Sequence, residues 1–227
     1  MKRYLPFAII VAVAVVTIGV GAMLYRAKMR VSPSAAAPPA GTASTAPADS
    51  QEKESLHARG PATAPVTLEE FGDFQCPPCA TVSGVIDKLE KDYGPRLRVI
   101  FREFPLAMHS HAVEAAMAAE AAGLQGHFWE MHDMLYQYQA VWSKVSDVSH
   151  FFSAYAESLG LDVERFKADS QSDAVRARVI SEGDLGVSRG VKNTPTFFIN
   201  GTQLRGAFTP ENLRAAIDAA LAGKQSP

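Results

Sequence analysis

An α/β domain interrupted by a helical block, preceded by a membrane-spanning helix and a flexible tether, is the architecture that this 227-residue sequence predicts. Three observations carry the prediction. Strand-like runs at 66–71 and 97–104 flank an amphipathic helical run, which makes a β-α-β opening. The stretch from about 107 to 190 is helical in pattern almost throughout. The chain then returns to strands in a hairpin and closes on a helix, a β-β-α ending.

Taken in order, Lys2 and Arg3 precede an uncharged run from Tyr4 to Tyr25, followed by Arg26, Lys28 and Arg30. That run covers the roughly 20 residues a helix needs to cross a bilayer and exceeds the core of a secretory signal. Residues 1–30 therefore read as an uncleaved signal anchor. Val20-Gly21-Ala22 leaves open the alternative of a cleaved signal and a soluble periplasmic protein. Positive charge flanks both ends, so orientation is not set by the positive-inside rule. The expectation is a single-pass protein of a bacterial cell membrane with everything after residue 30 outside the cytoplasm, where disulfide chemistry is permitted. Residues 31–63, dominated by Ala, Pro, Ser and Thr, lack the large apolar side chains that offset conformational entropy, and read as a disordered linker.

The folded domain is expected over 64–225. VTLEEF at 66–71 is the first strand. In the following helix Val82, Val85, Ile86, Leu89 and Tyr93 recur at helical spacing, and Gly94-Pro95 ends it. LRVIFREF is the second strand. Within the block, SHAVEAAMAAEAAG, HFWEMHDMLYQYQ and VSHFFSAYAESLG each read as a helix, the first and last closed by Gly123 and Gly160. Asp162, and Ser172 or Asp173, fit as N-caps of two more. TFFI, Asn200-Gly201 and TQLRG form the hairpin, since Asn-Gly favours a tight turn. Thr209 and Pro210 open the last helix.

Charge and composition exclude some functions. A formal charge of −2 and no basic run beyond the N-terminus supply no field for a nucleic acid. Two cysteines form at most one internal bridge, and at C-x-x-C spacing it closes too small a loop to stabilise much. A pair so placed points to chemistry. Cys76 falls where a strand gives way to a helix N-terminus, whose free N–H groups and dipole favour a thiolate. Cys79 lies one turn further in, within reach of a disulfide, so the pair can exchange two electrons through a mixed disulfide. A closed zinc site needs four ligands, and no second C-x-x-C exists. His127 and His132 do not share a helix face as an i, i+4 pair would. No metal or cofactor is expected.

EFGDFQCPPC, followed beyond the helical block by NTPTFFING and a terminal helix, resembles the thioredoxin fold in its DsbA-like form, thioredoxin interrupted by a helical domain. The resemblance covers about residues 64 to 225. It implies that Pro195 is the cis loop proline packed against the dithiol, and that Thr194 offers its backbone to an extended substrate segment. It implies that Glu70 is the buried acid exchanging protons with the inner cysteine, and that Pro77 and Pro78 tune the redox potential. A competing reading makes Glu70 a partly exposed strand residue, since of adjacent Glu69 and Glu70 only one can point inward. DsbA carries histidine where this chain has Pro78; proline has neither N–H nor charge, so a Cys76 pKa and potential displaced from DsbA toward thioredoxin are expected.

The expected function is an extracytoplasmic thiol:disulfide oxidoreductase that introduces disulfides into secreted or envelope proteins through Cys76 and Cys79. Its partners would be extended, cysteine-bearing substrates and a quinone-linked membrane thiol oxidase for recycling. The tether is too short and polar for a dimerisation domain, which favours a monomer. A reductase or isomerase of the same fold and a non-catalytic peptide-binding holdase are the alternatives. His109 and His111 are read as a helix start or surface; Phe128, Trp129, Met131, Met134, Leu135 and Tyr136 as helical core; Trp142 is undecided.

Overall fold

The computed structural model describes residues 57–223. The signal anchor and most of the linker, residues 1–56, lie outside the described residues. Among the described residues, no helix is long and apolar enough to cross a membrane.

Five strands make one sheet in the order β1-β3-β2-β4-β5: β1 Ala58–Arg59, β2 Val66–Gly72, β3 Leu97–Glu103, β4 Thr196–Ile199 and β5 Thr202–Gln203. The central pair β2 and β3 is parallel, joined by helix α1 (Pro77–Tyr93), and β4 runs antiparallel to β2. Between β3 and β4 come α2 (Ala112–Gly123), α3 (Phe128–Gln137), α4 (Gln139–Trp142), α5 (Ser149–Ser158), α6 (Val163–Asp169) and α7 (Asp173–Ser188), and α8 (Pro210–Gly223) ends the fold.

Both faces of the central strands are covered, which is why their sequences are apolar almost continuously rather than alternating. On one face Val66, Leu68, Leu97, Val99 and Phe197 pack against Val82, Ile86 and Leu89 of α1 and Leu213 and Ile217 of α8. On the other, Phe71, Phe104 and Phe198 meet Leu185 of α7. Each such side chain, fully buried, contributes about 1.5–3 kcal/mol relative to exposure. The helical block has its own core, in which Trp142 is fully buried with its indole N–H donating to Leu135 O at 2.8 Å. Phe128, Met131, Leu135 and Tyr136 are buried there, while Trp129 and Met134 are partly covered.

The polar signals read from the sequence form as hydrogen bonds. Asp162 Oδ1 accepts from Arg165 N at 3.0 Å, Ser172 Oγ from Val175 N at 3.2 Å and Thr209 Oγ1 from Asn212 N at 3.2 Å. Asn200 and Gly201 both take positive φ, 48° and 79°, as a primed hairpin turn requires. The Asn200 side chain also accepts from Thr67 N at 2.8 Å, fastening the hairpin to β2.

One boundary is corrected. Residues 57–63 were assigned to the linker, yet Ala58 and Arg59 pair with Ile100 and Val99 of β3. Polar, long-range contacts hold them: Arg59 reaches Asp133 at 2.8 Å and Asp87 and Glu90 at 3.3 Å, and lies 4.2 Å over the Trp129 ring. His57 Nε2 meets Glu120 at 2.7 Å and its ring stacks on Phe128 at 3.5 Å. Local hydropathy contains none of these partners.

Candidate active site

β2 ends at Gly72, and the chain turns through Asp73-Phe74-Gln75 before α1 begins. Cys76 is the N-cap of α1, in extended backbone, with prolines in the first turn and no acidic residue there to oppose an anion. Cys76 O accepts from Cys79 N at 3.1 Å and from Ala80 N at 3.2 Å. Both thiols are free. Cys76 keeps 4% of its surface exposed and Cys79 none, while Pro77 and Pro78 are exposed. Thiol accessibility at this site therefore belongs to Cys76.

The loop before β4 closes over the pair. The Thr194–Pro195 peptide bond is cis, and Cys76 Sγ donates to Thr194 O at 3.4 Å. The Thr194 hydroxyl is buried with no hydrogen-bond partner among the described residues, and it stands as a donor for the ionised sulfur. The Cys76 pKa is lowered from 9.0 to about 6, first by the hydrogen bond from the Cys79 thiol, then by those from the Thr194 side chain and the Cys79 N–H. Burial and the Asp73 charge oppose the shift. Cys79 is pushed the other way, far above the ordinary thiol range, by burial first and then by its hydrogen bond to Cys76 and the Glu70 charge. At neutral pH the outer sulfur is a thiolate and the inner one a thiol.

Glu70 sits in the centre of β2, opposite Phe101 of β3 and Phe197 of β4. It is 2% exposed, and its pKa rises from 4.5 to about 8, mainly through burial and then through the Cys76 charge. A cavity bounded by Glu70, Ser83, Glu90, Arg59 and His132 leaves about 10 Å³ for the centre of a water molecule, close to the minimum for one water. The expectation that only one of Glu69 and Glu70 could face inward is corrected, because both sheet faces are covered. Glu69 is buried on the opposite face, where Arg102 Nε donates to it at 2.8 Å and Arg189 also pairs with it.

Three residues that hold the cysteine loop were not singled out in the sequence. Gln139 Nε2, from α4, donates to Phe74 O at 2.7 Å and Cys76 O at 3.0 Å. Gln75 returns the contact, donating to Ser143 O at 3.0 Å and accepting from His111 N at 2.6 Å. Asp73 accepts from Gln75 N at 2.7 Å and Leu106 N at 2.8 Å, and meets His109 Nδ1 at 2.8 Å. His111 is the N-cap of α2, and both histidines fasten loops at the start of the helical block. Asp73 and Gln75 lie inside the quoted motif. Gln139 is a polar side chain in an otherwise core-forming run and carries no local signal of its partner. Among the described residues no group of His, Cys, Asp and Glu is arranged to hold a metal ion.

A central parallel pair, a dithiol at the helix between its strands, a cis-proline loop against the outer sulfur and helices inserted after the second strand define a DsbA-like protein of the thioredoxin fold. The sequence profile described as "Thioredoxin" matches residues 52–219, and the chain belongs to that family. A thioredoxin-like oxidoreductase from Silicibacter pomeroyi is 27% identical, superposing with a TM-score of 0.64 over 80% of this chain and all of that one. The α-DsbA1 of Wolbachia pipientis superposes with a TM-score of 0.65 at 20% identity, over 74% of this chain and 94% of that one. Among curated proteins, a protein of Salinispora arenicola named Na(+)/H(+) antiporter NhaA 1 is 40% identical over 168 residues, 74% of this chain and 25% of its own length. The chain thus spans about a quarter of the length of the curated relatives it matches.

Proposed function

We propose that this protein is an extracytoplasmic thiol:disulfide oxidoreductase that introduces disulfides into secreted or envelope proteins. The observation that carries the reading is the split between the two sulfurs: an outer thiolate with a pKa of about 6 and 4% exposure, beside a fully buried thiol held far above the ordinary range. In the oxidised protein a substrate thiolate attacks Cys76 Sγ, and the S–S electron pair leaves on Cys79, which Glu70 protonates from within the sheet. Attack by a second substrate thiol on its own sulfur in the mixed disulfide then releases Cys76 as a thiolate, a good leaving group because of its low pKa. Thr194 and Pro195 position the substrate strand, and Pro77 and Pro78 set the redox strength. Re-oxidation falls to a quinone-linked membrane thiol oxidase, and the N-terminal segment holds a monomeric domain at the membrane.

A Cys76 pKa of about 6 lies between the values near 3.5 for DsbA and near 7 for thioredoxin, in keeping with an oxidant milder than DsbA. Equilibration with glutathione buffers measures the potential: a value between roughly −120 and −270 mV is expected, and one at or below thioredoxin's reverses the direction to reduction. The second reading, a non-catalytic holdase, predicts that Cys76→Ser leaves function intact.

A further inference from the structure

Behind the dithiol lie titratable groups that the chemistry above leaves unused. β2 and β3 run parallel in register, with Glu70 opposite Phe101 and Gly72 opposite Glu103. Alternation along each strand puts Glu70, Gly72, Phe101 and Glu103 on one face. Gly72 adds no side chain to that face, and the notch it leaves is filled from α3. A Cβ there would lie 2.4 Å from Phe101 Cε2 and 3.0 Å from the Tyr136 hydroxyl oxygen. The phenol thus sits over the gap between the two acids.

The Tyr136 hydroxyl, Glu70 Oε1 and both Glu103 oxygens are buried, and none has a hydrogen-bond partner among the described residues. Each unmatched buried polar atom costs about 1–3 kcal/mol, so four on one patch are not what folding alone would favour. Glu103 faces Asp73 from the loop after β2, Glu120 from α2 and Glu182 from α7. Each of those three is held by a base: Asp73 by His109, Glu120 by His57 and Arg178, Glu182 by Arg102. Glu103 has no such partner among the described residues; burial, then the neighbouring acids, raise its pKa well above the carboxylate range, so it holds a proton at neutral pH. Tyr136 feels Cys79, Glu70, Glu103 and Asp73 together, with the His132 ring 4.9 Å away.

We propose that Tyr136 couples Glu70 to Glu103, so that a second proton-holding acid stands behind Cys79. The inference deepens the proposed function and rests on it. A phenol accepts one hydrogen bond while donating another. When the Cys76–Cys79 bond breaks and its electron pair leaves on Cys79 Sγ, Glu70 gives its carboxyl proton to that sulfur. Tyr136 passes its phenolic proton to the Glu70 carboxylate and takes the carboxyl proton of Glu103. Cys79 ends as a thiol, Glu70 and Tyr136 are restored, and Glu103 is left as the carboxylate. Water returns its proton, having received one from the attacking substrate thiol. Tyr136 and Glu103 are positioning residues, since they act through Glu70.

The test follows isotope-labelled glutamate carboxyls across pH in the reduced full chain. Wild type should show two carboxyls titrating well above the ordinary range. Glu103→Gln should remove one and move the Glu70 titration by roughly half a pH unit or more, and in a Tyr136→Phe background that dependence should vanish. A single raised carboxyl in wild type, or a Glu70 titration indifferent to Glu103, overturns the proposal. Should Glu103→Gln not fold, Tyr136→Phe decides: both titrations must move, and movement of neither overturns it. A wild-type protein that exchanges no disulfides defeats the underlying reading whatever the carboxyls do, whereas an active protein with unlinked carboxyls defeats this inference alone.

Discussion

Replacing the inner cysteine by alanine should make the outer one a weaker acid, by an amount the site geometry bounds. The Cys76 pKa is lowered from 9.0 to about 6, a preference for the thiolate of about 4 kcal/mol. The largest contribution is the hydrogen bond from the Cys79 thiol, ahead of the Thr194 side chain and the Cys79 N–H. A hydrogen bond to a charged group contributes about 1.5–3 kcal/mol, or roughly 1–2 pKa units. In Cys79→Ala the two remaining donors persist, since the N–H is backbone, so the Cys76 pKa should rise to roughly 7–8. Cys79→Ser keeps a donor at the same place and should stay nearer the wild-type value. Ultraviolet thiolate absorbance followed across pH gives each pKa directly. The reasoning is refuted if Cys79→Ala still titrates at about 6, or if serine raises the pKa as far as alanine does.

Glu70 titrates at about 8 in the folded reduced chain against 4.5 for a free group. Folding therefore holds an extra proton there, and stability falls as pH rises through that window, by about 1.4 kcal/mol per unit. Reduced Glu70→Gln should gain on wild type across that window in urea unfolding; parallel pH dependences would contradict it. Cys76 acts with the opposite sign, adding stability as pH rises from about 6 to 9, but it does so in both proteins. Gln139→Leu strips two buried carbonyls of their donor and should cost about 1–3 kcal/mol in the same experiment; an unchanged midpoint would mean the cysteine loop holds itself. Gly72→Ala would set a Cβ 2.4 Å from the fully buried Phe101 ring and should destabilise by about 1–3 kcal/mol, whereas a neutral effect in thermal unfolding would show that the ring has room to move.

The regular elements were legible because their causes are local. Val82, Ile86 and Leu89 mark the buried face of α1, Asp162 and Ser172 cap their helices, and Asn200-Gly201 turns the hairpin, each through neighbours a few residues away. The dithiol was legible for the same reason, since strand, cysteine and proline-started helix are adjacent in the chain. What escaped is held together across long separations by polar contacts. Nothing near Arg59 announces Asp133 and Trp129, so a strand was taken for linker. Nothing near Gln139 announces the carbonyls of Phe74 and Cys76. Both Glu69 and Glu70 are inside because α7 covers the second face of the sheet, and a strand's own alternation carries no information about a helix more than a hundred residues away. Tyr136 read as core, which it is; that its hydroxyl fills the notch at Gly72 is visible only once β2 and α3 are packed together.

The most direct test is exchange itself. The protein, oxidised to the Cys76–Cys79 disulfide, is mixed with an unfolded peptide bearing two thiols, and peptide disulfide is counted against protein. Wild type should convert one peptide per protein, with the rate falling as the pH drops below the pKa of the attacking substrate thiol, and Cys76→Ser should convert none. Equal behaviour of the two proteins would contradict the account at its centre.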